Sequence, residues 1–125
     1  MAEISGNLKT SLWLDIKLRH LDRLGYFYTI IQKGPDEGGA VLLKVFVPGE
    51  GAQVFSQYRD FEGDLKWMEI FERGWVDEHK TDAYITRQIS FDPDLWAVEV
   101  ELREKANPLD DSFLEQQPQI QTDSE

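Results

Sequence analysis

Four residues around one bend of the chain have the side chains of a binding surface: Tyr84, Arg87, Asp92 and Asp94, in the run "DAYITRQISFDPDLWAVEVEL". An arginine presents five donors in a planar fork that fits a carboxylate, and a tyrosine one helical turn earlier adds a flat apolar wall. Asp92 and Asp94 flank Pro93, and Glu99 and Glu101 follow two residues apart, a spacing that puts both on one face of a strand. Carboxylates so placed could offer hard oxygens to Mg²⁺, Ca²⁺ or a cationic group. A plainer use competes with this one. Arg87 in the last turn of a helix complements its negative end, or pairs with Asp92 or Asp94 to fasten the bend, while the glutamates form a solvated strand face. The candidate binding surface is these four residues, with no catalytic residue, metal or cofactor assigned.

Other chemistries find little to build on. His20 and His79 have no partner at metal-ligand spacing, and Ser5, Ser11, Ser56, Ser90 and Ser112 lack the context of an activated nucleophile. The 125 residues contain no cysteine, which excludes disulfides, thiolate catalysis and thiolate-held metals. "GPDEGG" and "PGEGA" carry acids that would repel a phosphate, so both read as turns. With 24 acidic against 13 basic residues the net charge is −11, which disfavours nucleic acid and anionic membrane surfaces as partners. No apolar stretch approaches the roughly 20 residues of a membrane helix, and the composition fits a soluble, cytoplasmic protein.

The elements that must position the candidate surface follow from periodicity. In "SLWLDIKL" the residues Leu12, Leu14, Ile16 and Leu18 alternate with Trp13, Asp15 and Lys17, and this period of two predicts a strand at about 11 to 18. Leu21, Leu24, Phe27, Tyr28 and Ile31 recur at three and four, predicting a helix from about 19 to 33 with Gly25 as an internal cost. The rival parse is a helix from 9 to 24 followed by a strand in "YFYTIIQK". "AVLLKVFV" is apolar on both faces, as a central strand would be, and "QVFSQYRD" and "LKWMEIFE" continue it as a meander joined by glycine-containing turns. A second helix over "EHKTDAYITRQI", capped by Asp77, must stop before Pro93. Trp96, Val98, Val100 and Leu102 then alternate inward in a last strand.

The result is an α+β single domain over residues 8–104, in β-α-β-β-β-α-β order, with one mixed sheet, a meander and two helices. Residues 105–125 are acidic, polar and broken by proline, and are expected to form a largely disordered tail dispensable beyond about Asn107.

The stretches "LKTSLWLDIKLRHLD", "KGPDEGGAVLLKV", "VFSQYRDFEGDLKWM" and "DAYITRQISFDPDLWAVEVE" together resemble a bacterial family known as Domain of Unknown Function 1491, from about Leu8 to Asp110. The resemblance implies a small single-domain protein and brings no catalytic residue, cofactor or substrate with it. Three functions remain open on the residues. The first is a non-enzymatic protein-binding or accessory protein, or one that self-associates, using Trp13, Phe46, Phe55 and Trp75, which the assumed register leaves outside or at the edge of the core. The others are a carboxylate-based, Mg²⁺-dependent enzyme and a small-ligand sensor, both using the corner at 84–96.

Overall fold

The computed structural model describes residues 9–116. The chain opens with helix α1 (Thr10–Arg23), not with a strand. Of the alternating leucines and isoleucine, only Leu14 and Leu18 are buried, whereas Leu12 and Ile16 face solvent. Trp13 and Leu21 complete the buried stripe, so the pattern that decides is helical and the alternation is incidental. Gly25 lies beyond the helix as its terminator. At φ +88° its N–H donates to the Asp22 carbonyl at 3.0 Å, and the Tyr26 N–H donates to the Leu21 carbonyl at 3.0 Å. That pair of bonds is a Schellman ending, in which a glycine supplies the left-handed backbone at no steric cost. The expected helix over 19–33 is therefore replaced by a turn and strand β1 (Tyr28–Gln32).

Strands β2 (Val41–Val47), β3 (Gly51–Arg59) and β4 (Leu65–Glu69) form the expected meander. Helix α2 (Glu78–Phe91) crosses back to strand β5 (Trp96–Glu101), which pairs parallel to β2 and antiparallel to β1. The sheet is mixed and ordered β1-β5-β2-β3-β4, so the fold is a single α+β domain with β1 and β4 at its edges. The first two elements stand in the order α then β, and a short helix α3 (Asp111–Gln116) is added at the far end. Asp77 precedes α2 but makes no side-chain cap hydrogen bond.

Alternation along the strands splits the core between two faces. Val41, Leu43, Val45, Phe55, Trp96, Val98 and Val100 pack beneath α1. Leu42, Val54 and Ala97 pack with Ile85 of α2 and with Leu95. Trp96 is buried as its alternation requires, and its indole N–H donates to the Pro35 carbonyl at 2.9 Å. Gly34 makes room for that ring, since a Cβ there would sit 2.5 Å from Trp96 Cδ1. Trp13 and Phe55 are also core residues, and Trp75 packs edge-on against Phe55 at 6.2 Å, so the register that left them outside is corrected.

The chain after Lys105 does not leave the domain at once. Leu109 and Phe113 are buried in the α1-side cluster, and the Phe113 ring meets Tyr26 edge-on at 5.9 Å. Asn107 Oδ1 accepts the Leu109 N–H at 2.9 Å, and Asp111 takes a short ion pair from Lys17. The packed unit thus reaches Phe113, past the expected boundary at 104. The last part of the expected tail, 117–125, lies outside the described residues. Among the described residues no helix is long and apolar enough to cross a membrane.

Candidate functional site

The corner at the end of α2 is built as the proline demands. The helix stops at Phe91, Asp92 turns to extended backbone, and its carboxylate accepts the Asp94 N–H at 3.1 Å. Asp92 and Asp94 are exposed, and so is Arg87, which makes no side-chain hydrogen bond or ion pair among the described residues. The fastening of this bend by an Arg87 ion pair is absent. Tyr84 is the half-buried member, edge-on to Phe71 at 6.0 Å, and burial pushes its hydroxyl pKa above the ordinary 10.0. What ties the bend down instead is Gln32, the last residue of β1, whose amide donates to the Pro93 and Leu95 carbonyls at 3.0 Å each. The corner and the end of β1 therefore form one continuous surface.

That surface continues along an apolar edge. Among the described residues β1 pairs only with β5, and alternate backbone groups along its other side have no strand partner there. Its flank shows Phe27 at 79%, Tyr28 at 37%, Ile30 at 45% and Ile31 at 40% exposure, and Phe91 beside the corner is exposed as well. From Phe27 to Gln32 there is no charged residue. A bulge between Ile30 and Gln32 partly blunts the edge.

Strand β2 carries a group that the apolar reading of "AVLLKVFV" passed over. Lys44 is buried in mid-sheet, its side chain 2% exposed, and its ammonium donates to Glu78 and Asp82 of α2 at 2.6 Å each. Glu99, its neighbour on β5, lies 3.4 Å away. Burial alone would lower the Lys44 pKa, but the hydrogen bonds to Asp82 and Glu78 and the nearby Glu99 and Asp82 charges outweigh it, and the net shift is upward from 10.5. An ammonium held in that state is no nucleophile at neutral pH, so the cluster fastens α2 to the sheet. Glu99 is part of this cluster and not merely a solvated carboxylate, whereas Glu101 faces solvent as expected.

The concave space lies on the opposite face. Two adjoining clefts of about 280 and 300 Å³ share Trp13, Gln57, Arg59 and Leu65. The Trp13 and Trp67 rings stand 6.3 Å apart and tilted by 31°. Among the described residues, carboxylates close enough to share a cation are Asp60, Glu62 and Asp64 in the β3–β4 turn, not the pairs at 92–101. One Asp60 oxygen already accepts the Glu62 and Asp64 N–H groups at 3.0 Å, which accounts for the turn without an ion. His79 is exposed, 3.8 Å from Asp77, and among the described residues neither histidine joins a metal-ligating group.

A DUF1491 family protein of Caulobacter crescentus CB15, seen in a crystal structure, is 35% identical with a TM-score of 0.69, over 78% of this chain and 90% of that one. An NMR structure of a DUF1491 family protein from the same organism gives 37% identity and a TM-score of 0.67, over 78% and 87%. Protein Atu0922 of A. tumefaciens shares the fold at 21% identity, with a TM-score of 0.68 over 90% of this chain and 98% of its own. No protein of curated function matches. The family described as "Protein of unknown function (DUF1491)" matches residues 8–110. With most of its length inside that match, the chain belongs to the DUF1491 family.

Proposed function

We propose that the protein is a non-enzymatic binding protein that takes up an extended segment of another protein along β1. The observation that carries this reading is the open, uncharged, apolar edge from Phe27 to Gln32 ending at the carboxylates Asp92 and Asp94. Strand addition draws affinity from the free backbone groups and specificity from alternate side chains. The occupant is an apolar strand with a basic residue at one end, where it meets Asp92 and Asp94. The net charge of −11 supports a basic partner over a second acidic copy of this chain. A carboxylate enzyme at the corner has less support, because Asp92 and Asp94 are exposed and are not gathered with Glu99 and Glu101 around one ion position. A cytoplasmic location belongs to the proposal and rests on the composition.

The test compares capture from native extract by the wild type, Ile30→Lys, Asp92→Lys and the control Glu62→Lys, an exposed position in the β3–β4 turn at the sheet edge opposite β1. A partner held by the wild type and the control should be lost with the other two, and its binding should slow amide exchange over 28–32. Equal capture by the wild type and all three variants would sink the reading. A wild type that sediments as a dimer, with Ile30→Lys monomeric, would replace the partner by a second copy.

A further inference from the structure

We propose that the cleft between α1 and the β3–β4 hairpin binds a small aromatic carboxylate. The starting point is an unmet donor. Gln57 Nε2 is buried and has no hydrogen-bond partner among the described residues. A buried N–H in that state is costly, and native proteins rarely keep one without a water, ion or ligand to accept it. Gln57 lines both adjoining clefts, so its amide lies in their shared wall, and a small turn of the side chain brings the covered Nε2 to an acceptor bound there.

The surroundings specify which acceptor. Arg59 stands two residues along β3, on the same face as Gln57, with Trp67 and Leu65 of β4 directly opposite the pair. Arg59 uses Nη1 on the Gly63 carbonyl and has no ion pair among the described residues, which leaves most of its planar fork available. A carboxylate satisfies that fork and can share an oxygen with Gln57 Nε2. Lys66, at the rim, is likewise outside any ion pair among the described residues. Of the acids nearby, Asp111 is paired with Lys17, while Asp64 and Asp110, which accepts the Ser112 hydroxyl, keep their charges and are balanced by Arg59 and Lys66. Trp13 and Trp67 supply two tilted aromatic walls, a setting for a flat ring and not for a compact ion. Volumes of about 280 and 300 Å³ suit a molecule of one ring.

The site lies toward the edge of the sheet opposite β1, so it stands apart from the partner surface, and Ile30→Lys should leave it unchanged. The full chain is titrated with benzoate, benzamide and benzylamine while the four indole N–H signals are followed by NMR. Benzoate should shift the Trp13 and Trp67 signals saturably and leave Trp96, bonded to Pro35, as the internal reference. Benzamide should bind more weakly and benzylamine weakest. Arg59→Lys should weaken benzoate binding about tenfold or more by losing the two-pronged contact. Gln57→Leu should weaken it too, yet melt at or above the wild-type temperature, because it removes an unsatisfied donor from the interior. A purely structural glutamine would instead lose stability when replaced. No saturable shift with benzoate, benzylamine or benzamide binding as tightly, or wild-type affinity in Arg59→Lys would each overturn the proposal.

Discussion

The two faces of the sheet are held by different physics. Beneath α1 the contacts are apolar almost throughout: Trp13, Leu14, Leu18 and Leu21 meet the odd-numbered residues of β2 and the even-numbered ones of β5, and Leu109 and Phe113 close the end. Beneath α2 the apolar cluster is small, and the helix contributes only Thr81 and Ile85 as buried residues. The rest of its attachment is Lys44 with Glu78, Asp82 and Glu99. Apolar burial scales with area and does not depend on pH, whereas a buried ammonium holds only while it stays charged and bonded. The α1 face should therefore carry most of the stability, and the α2 face should be the one that conditions can loosen.

The largest effect expected is from ending the chain at Asn107. Losing Leu109 and Phe113 removes two core residues at once, and a loss on the order of 5 kcal/mol is expected from the usual cost of deleting buried Leu and Phe side chains. Urea unfolding of the truncated and full chains measures it. A truncated chain that unfolds with the same midpoint would return those residues to the status of a tail.

Trp96→Ala comes next, at about 3–5 kcal/mol, the range for emptying a buried aromatic site. The same denaturation series reads it, and an added loss is expected from the Pro35 carbonyl left without its donor.

On the other face Lys44→Met should cost about 1–3 kcal/mol, less than stranding a fully buried charge, because Glu78, Asp82 and Glu99 all retain access to water. Its sharper signature is in pH. The folded-state pKa of Lys44 is raised above 10.5, so the stabilisation is complete below that pH and is lost as pH climbs through the raised value. Melting curves from neutral to strongly alkaline pH should show a steeper decline for the wild type than for Lys44→Met. Parallel declines would mean that Lys44 is not what pH loosens.

The smallest effects separate the two strand glutamates. Glu99→Gln should cost a few tenths to about 1 kcal/mol through its contact with Lys44, and Glu101→Gln should stay within about 0.5 kcal/mol, the usual surface scatter. Equal effects in thermal melts would dissolve the distinction between them.

Local pattern sufficed where one face of an element meets one kind of environment. Trp96, Val98 and Val100 alternate because one face of β5 packs beneath α1, the meander announces itself by its turns, and Pro93 ends α2 wherever that helix packs. The first helix defeated the same reasoning. Leu12 and Ile16 are apolar but exposed, so they imitate a strand, and Gly25 looks like a flaw until its left-handed backbone closes the helix. The candidate site divides likewise. Arg87, Asp92 and Asp94 were legible as surface residues at a bend, but their junction with β1 runs through Gln32, some 61 residues away in sequence from Pro93.

By itself the sequence determined the α+β class, the central place of β2, the stop at Pro93 and the exclusion of thiol chemistry, all of which depend on neighbours a few residues apart or on composition alone. Tertiary structure decided that a lysine in an apolar run is neutralised by carboxylates from α2 and β5, that Leu109 and Phe113 belong to the core, and that Gln57 meets Arg59 and two tryptophans at a cleft. Burial and pairing are properties of the space between elements. Residues 34 and 55 positions apart acquire them around Lys44 only when β2, α2 and β5 come together.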